Sequence, residues 1–474
     1  MSRVRCLHRC ATCSPGPCWG HDRSAHRRSG RARRSPARMT DFHTAEDVET
    51  AVAKAAAVAA ELAALPAHRR AAALDHVSRR LAERAEEFAQ AITGDSGKPL
   101  KWSRAEVTRA VSTFRWAAEE ARRFSGELQR LDTDPAAEGR LALVRRVPRG
   151  PVLGIAPFNF PLNLVAHKVA PAIAVGAPIV LKPAPATPTS ALLLGELLAE
   201  TDLPDGAWSV LHLSNEDTAK LVEDPRLPVV SFTGSGPVGW GIKERLPRKH
   251  VTLELGGNAA AIVAPDWQDI EFAAQRIATF AMYQAGQSCI SVQRVFVHTD
   301  VYDTIAEAVV RHVNALDVAN DVGPLINEAA ADRVEAWVQE ASAKVLTGGT
   351  RDGLVYAPTV LTDVPEDAKV NAEEVFGPVV TLSRVDSVEE AFDRVNASRY
   401  GLQAGLFTTD VRLAFRAAQR LQVGGVIVGD VPSYRADQMP YGGVKESGIG
   451  REGLRAAMED LTEPRVLVLT GLEL

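Results

Sequence analysis

Val229-Val230-Ser231-Phe232-Thr233-Gly234-Ser235-Gly236-Pro237-Val238-Gly239 is the stretch on which the fold of this chain turns. A β-prone run leads straight into G-x-G-x-x-G, the pattern in which a strand turns tightly into a helix and glycines admit a pyrophosphate against the backbone. The same pattern expects an acid about 20 residues later to hold the adenosine ribose, and Glu254 stands 20 residues past Gly234. A plain tight turn is the other reading of these glycines, so the surrounding sequence has to choose.

Short apolar runs flank the stretch at 152–156, 179–181, 208–211, 251–253 and 260–263, with helical patterns between several of them. Together with 229–232 these six runs predict a parallel α/β sheet able to bind a nucleotide at its carboxyl edge. The alternation restarts at 292–297, 379–382 and 426–428 and predicts a second α/β unit. Upstream, residues 44–127 carry Ala, Leu and Val at helical spacing, broken by Pro66 and by Gly94-Asp95-Ser96-Gly97-Lys98-Pro99, read as a turn. Residues 465–470 read as a strand with no obvious local partner.

Composition narrows the function. The chain has 474 residues, 46% hydrophobic and 24% charged, enough for more than one core. Its net charge of −5 is uneven: residues 1–38 hold ten Arg against Asp22, a net +9, which leaves the body at −14. An acidic body predicts no nucleic-acid partner, because duplex binding rests on neutralised phosphates. The most apolar region, 160–181, is interrupted by His167, Lys168 and prolines, so no membrane span is expected. Cys6, Cys10, Cys13 and Cys18 lie in the basic tail and leave Cys289 alone in the body. That body holds no internal disulfide, which fits a cytoplasmic protein, and Cys289 is either a small buried residue or a reactive thiol. The tail itself reads as disordered, with a zinc module, a targeting peptide and a true start at Met39 as further readings; no metal site is expected in the body.

Four further segments complete the set: Pro157-Phe158-Asn159-Phe160-Pro161, Glu254-Leu255-Gly256-Gly257-Asn258, Gly286-Gln287-Ser288-Cys289-Ile290-Ser291 and Glu373-Glu374-Val375-Phe376-Gly377-Pro378. With Phe232-Thr233-Gly234-Ser235 and Pro440-Tyr441-Gly442-Gly443 they stand in the order and at the separations of the aldehyde dehydrogenase superfamily, which the chain resembles from about residue 45 to its end. The resemblance implies two Rossmann-like parallel α/β domains plus a small β oligomerisation arm. The cofactor domain spans 45–125 and 148–255, the catalytic domain 256–446, and the arm 126–147 with 461–474.

The resemblance also implies roles. Cys289 is the nucleophile that forms a thiohemiacetal and then a thioester, and the Asn159 amide with the Cys289 N–H receives the oxyanion. Glu254 is the base for thioester hydrolysis, which contradicts the ribose role given by the generic fingerprint. Lys168 assists proton traffic. NAD or NADP is expected against Ile155, Pro157, Phe158, Lys182, Ala184, Gly234, Ser235, Leu255, Gly256, Glu374 and Phe376. Pro185 stands where NAD-preferring relatives tend to carry Glu, so the preference stays open.

The segment around Tyr434-Arg435 looks like the branch of lactaldehyde, phosphonoacetaldehyde and non-phosphorylating glyceraldehyde-3-phosphate dehydrogenases. There Tyr283, Ser288, Tyr434 and Arg435 line the substrate tunnel, Arg435 meeting an anionic group or standing as a surface arginine. A CoA-acylating semialdehyde dehydrogenase and a non-catalytic protein of the same fold are the alternatives, and both fit intact Glu254 and Cys289 less well. An unpaired terminal strand implies a homodimer or tetramer.

Overall fold

The computed structural model describes residues 41–473, and the disorder, zinc and targeting readings of residues 1–38 lie outside them. Four helices come first. Ala45–Ala64 opens at Thr44, whose side chain and that of Asp47 cap one another's backbone N–H groups, and it stops before Pro66. Ala67–Glu83 and Ala85–Ser96 follow, and Gly97 ends the third at φ 71°. Leu100–Arg123 starts directly after Pro99, where a missing N–H is harmless.

A six-stranded sheet lies beyond them in the order Trp208–Val210, Ile179–Lys182, Val152–Ile155, Val229–Thr233, His250–Glu254, Gly448–Ile449. Its first five strands are parallel, and the last is antiparallel. Chain order reverses around Val152–Ile155: the next two strands stack to one side, then Val229–Thr233 returns to the other. In the register Ile155 faces both Lys182 and Phe232, while Thr233 faces Glu254. The carboxyl ends of four strands therefore converge on a crevice at the topological switch point, where nucleotides bind in such sheets. Helix Ala45–Ala64 covers one face through Ala51, Val52 and Ala55 against Leu153, Val180 and Val230.

The second sheet has seven strands in the order Lys344–Thr347, Thr359–Thr362, Val379–Val385, Arg294–His298, Ala260–Val263, Gln403–Phe407, Gly425–Val428, parallel except for the first pair. The run at 260–263 thus belongs here and not with the first sheet. Both strands flanking Leu255–Asn258 are buried on both faces, and nothing in their apolar side chains says that the chain changes sheets between them. Gln403–Phe407 and Thr359–Thr362 escaped the sequence reading because Gln, Gly and Thr break up their apolar runs.

The terminal strand has a partner, though not a local one, and it joins the two segments that the resemblance groups as one arm. Thr462–Thr470 pairs antiparallel with Arg140–Pro148 from Pro148↔Thr462 to Arg140↔Thr470, and Glu127–Arg130 adds a third strand. The partner lies over 300 residues away in sequence, beyond any local signal. The terminal strand is nevertheless an edge, with Val466, Leu467 and Val468 exposed. Among the described residues no helix is long and apolar enough to cross a membrane.

Candidate active site

Helix Ile270–Met282 ends in a turn that takes Gln284, Ala285 and Gly286 through φ values of 42°, 57° and 65°. Left-handed backbone costs a side-chain-bearing residue about 1–2 kcal/mol, so something must hold the turn. Gln287 does: its amide donates to the carbonyls of Gln284 (3.1 Å) and Pro324 (3.2 Å) and accepts from Ile326 N–H (2.9 Å). Gly286 is required here, since a Cβ would overlap the Gly377 carbonyl. Cys289 follows, half-buried, its Sγ 3.0 Å from the Tyr441 hydroxyl. Burial pushes its thiol up to about 12, relieved in part by the Tyr441 bond and by Arg435, while Glu374 and Glu254 act the other way.

Asn159 sits in the turn after Val152–Ile155. One of its two amide hydrogens is donated to the Gln287 carbonyl at 3.0 Å, which ties it to the Cys289 loop and leaves the second hydrogen for another acceptor. This modifies the expectation of an amide given wholly to an oxyanion. The Asn159 carbonyl accepts from Lys98 Nζ at 2.6 Å, and Lys98 also pairs with Glu106 at 2.5 Å. Glu106 in turn accepts from Leu162 N–H (2.8 Å) and Asn163 N–H (3.1 Å), closing the start of helix Asn163–Val175. Lys98, read in the sequence as part of a turn, is a buried anchor of the Asn159 segment.

Glu254 ends strand His250–Glu254 at 3% exposure, and neither carboxylate oxygen has a hydrogen-bond partner. Burial and the negative Glu452 raise its pKa well above the usual carboxylate range, against Arg435, Lys168 and Arg451. Lys168, on the helix packed beneath, donates to Thr233 Oγ1 (2.7 Å) and Ser231 Oγ (3.1 Å) and reaches Glu452 at 3.5 Å. Burial lowers the Lys168 pKa. Glu452 is buried too, yet Lys168 and Arg435 hold its pKa down to about 2.

Arg435 is not a surface arginine: its side chain is 6% exposed, bonds Glu452 at 2.9 Å and stacks on the Tyr441 ring at 3.9 Å. Its Nε has no partner, and the same holds for Arg109, which pairs with Asp437 at 2.9 Å. Tyr283 is buried beside Trp102 and Phe280, with the Ser288 hydroxyl next to its own. Tyr434 is half exposed and held through its carbonyl by Gln403.

At the crevice, Lys182 is 3% exposed and bonds only Asn215, at 3.2 Å; burial lowers its pKa to about 8. Ser235 precedes helix Gly236–Arg245, but its hydroxyl caps no N–H of that helix. Of the three motif glycines, Gly239 is demanded by packing, since a Cβ would press on Leu255 and Phe232, and Gly234 by the Phe232 ring. Gly236 has open space around it. Across the crevice Glu374 accepts from Gly257 N–H at 3.1 Å, and burial raises its pKa to about 7. A Cβ on Gly256 would overlap that carboxylate. Phe376, at φ 47°, meets Phe158 edge-on at 5.8 Å, while Ile155, Pro157 and Ala184 line the sheet side. The residues fit a dinucleotide: a switch-point crevice, a glycine where backbone must pass, and an amine and a carboxylate with spare bonding capacity.

A switch-point crevice in a parallel sheet, with a thiol and a bare buried carboxylate in electrostatic reach of each other, is the kind of site that a nucleotide-dependent enzyme carries. The model of the aldehyde dehydrogenase family matches residues 32–467, and the chain belongs to that family. It is an NAD(P)-dependent aldehyde dehydrogenase that oxidises aldehydes. It is 46% identical over 399 residues to the 3-sulfolactaldehyde dehydrogenase of Priestia aryabhattai, covering 82% of this chain and 83% of that one. Among solved structures it is similar to aldehyde dehydrogenase 21 from Physcomitrella patens, in complex with the reaction product succinate, with TM-score 0.88, 46% identity, and 91% and 92% of the two chains covered. The glyceraldehyde-3-phosphate dehydrogenase GapN from Methanocaldococcus jannaschii, complexed with NADP, gives TM-score 0.86 at 34% identity over 91% and 95%.

The sequence reading named Cys289, Glu254, Asn159 and Lys168, and the fold brings them to one place. It missed Lys98, Glu106, Arg109, Asp437 and Glu452. The only signal was charge, within Gly- and Pro-containing turns for Lys98, Asp437 and Glu452 and within helix Leu100–Arg123 for Glu106 and Arg109, and charge in either place reads more readily as solvated.

Proposed function

We propose that the chain oxidises a small anionic aldehyde to its carboxylic acid through covalent attachment to Cys289. The observation that carries this reading is the lone thiol of the described residues sharing a buried site with the unpartnered Glu254 carboxylate. The thiolate adds to the carbonyl carbon and converts it to a tetrahedral, hydrogen-bearing centre. The Asn159 N–H not engaged by Gln287 and the Cys289 backbone N–H receive the oxyanion; each such donor contributes about 10²- to 10³-fold. Lys182, Ser235, Gly256 and Glu374 would hold the nicotinamide dinucleotide, which would supply the hydride acceptor. Glu254 then draws a proton from water to hydrolyse the thioester, burial and Glu452 having raised its affinity for protons above that of an ordinary carboxylate. Lys168 and Glu452, joined by Thr233 and Ser231, continue a polar path from Glu254 into the protein.

Anionic selectivity is supported by Arg435, which is buried, and Arg109, whose side chain is 31% exposed, each with an Nε that bonds nothing among the described residues. The relatives named above act on a sulfonate- or phosphate-bearing aldehyde or hold a dicarboxylate product. NADP is accepted alongside NAD, since Lys182 bonds neutral Asn215 and Pro185 brings no charge to repel a 2′-phosphate. The exposed Leu128, Val466, Leu467 and Val468 are covered by a second copy of the chain. The test is a stopped-flow panel of length-matched anionic and neutral aldehydes with both cofactors. Cys289→Ser abolishes reduced-cofactor formation, and Arg435→Met weakens kcat/KM for the anionic members by about 10-fold or more beyond its effect on the neutral ones. Turnover surviving in Cys289→Ser overturns the reading.

A further inference from the structure

We propose that Tyr441 is a catalytic residue whose hydroxyl, 3.0 Å from Cys289 Sγ, donates to the thiolate and holds it ready, the Arg435 guanidinium on the ring face strengthening that donor. The proposal rests on the reading of Cys289 as the nucleophile. Either atom can donate while the sulfur is a thiol, but a thiolate only accepts, so in the reactive state the phenol must be the donor. A bond made to the charged form favours the charged form.

Three features suit Tyr441 to that task. It is the sulfur's one hydrogen-bond partner among the described residues; no imidazole or ammonium group bonds Cys289. It has little freedom: its N–H donates to the Glu452 carbonyl at 2.9 Å, its carbonyl accepts from Glu452 N–H at 2.7 Å, and its ring packs with Ile290 and Leu402. Arg435, fixed by Glu452 at 2.9 Å, lies 3.9 Å from the ring centroid, where a cation polarises the ring and acidifies the hydroxyl. Burial meanwhile keeps the phenol protonated, its pKa well above the ordinary value, so the donor persists across the working pH range.

The charges around the sulfur make this one bond consequential. Glu374 and Glu254 oppose a thiolate, while Arg435 and the Tyr441 hydroxyl favour it. Cys289, Arg435 and Glu254 are in turn the groups that act on Tyr441. Burial opposes the thiolate most of all, so loss of the hydroxyl leaves Arg435 alone against burial and two carboxylates. Neighbouring Gly442 lets the segment run close to Glu254, since a Cβ there would lie 2.8 Å from Oε1. The same short stretch therefore threads between nucleophile and base.

The experiment is alkylation of Cys289 in the full-length enzyme by iodoacetamide across neutral to alkaline pH, followed at its own peptide by mass spectrometry. Iodoacetamide is uncharged, so anion recognition by Arg435 does not enter. Tyr441→Phe keeps the ring, its stacking and its packing. In this variant alkylation near neutrality slows about 10-fold or more, the profile moves to higher pH, and the wild-type rate returns at the alkaline end; kcat/KM for aldehyde oxidation follows the same displacement. An unmoved profile overturns the proposal. So does a uniform loss at every pH, the mark of disturbed packing. Alkylation reads the sulfur whichever residue attacks the aldehyde, so failure of the nucleophile reading appears separately, as turnover retained in Cys289→Ser.

Discussion

Two buried ion networks support this site, and they are built differently. Behind Asn159, Lys98 and Glu106 form a closed unit: the amine is shared between one carboxylate and one carbonyl, and the carboxylate's other oxygen takes two backbone N–H groups. Behind Glu254, the set of Lys168, Glu452 and Arg435 is open: Glu254 bonds nothing through either oxygen, and Arg435 Nε is unpartnered. A closed network in low dielectric fixes geometry. An open one leaves groups whose protons and donors can be used, at the expense of stability. The first positions the Asn159 segment; the second surrounds the Glu254 carboxylate.

The largest expected effect lies in the open network. Glu254→Gln lowers steady-state turnover by about 10²- to 10⁴-fold yet retains a stopped-flow burst of reduced cofactor, because only acid release needs the base. Loss of the burst with the turnover would move Glu254 to the cofactor side of the crevice, the place the G-x-G-x-x-G fingerprint gives it.

The closed network should show itself in stability. Lys98→Met strands a buried carboxylate and lowers stability by about 3–5 kcal/mol, read as a drop in melting temperature. Adding Glu106→Gln restores much of this loss, because the amide oxygen still accepts from Leu162 and Asn163. A double variant no better than the single would show that the pair is not an isolated unit.

The smallest effect is a pH dependence that sets the two networks apart. The native pKa of Glu254 is raised, so its contribution to stability is intact below the ordinary carboxylate range. That contribution is lost as pH rises through the native value, because the unfolded chain gives up the proton first. Glu254→Gln escapes this loss, and its melting temperature gains on the wild type as pH increases. A gap that stays constant with pH would mean that Glu254 is ionised and solvated in the native state.

Much of this was legible in residue order. Pro66, Gly97 and Pro99 punctuate the first helices where the sequence places the breaks, because proline and glycine act locally on the backbone. The six motif segments located Cys289, Asn159 and Glu254. Arg435 was open between tunnel and surface, because a guanidinium is read as solvated until its partner is known, and Glu452 lies 17 residues on in a glycine-rich stretch. Lys98 was hidden for the same reason, its carbonyl acceptor lying 61 residues away.

The sequence by itself determined the helix punctuation, the solitary thiol of the body and the family, since these depend on local backbone preference and on residue identity. Only the tertiary structure decided which sheet Ala260–Val263 joins, that the terminal strand pairs with Arg140–Pro148, and that Arg435, Tyr441 and Cys289 form one stack. Those outcomes depend on contacts between distant segments and on burial, which sets the strength of every charge in the site and is a property of the folded chain as a whole.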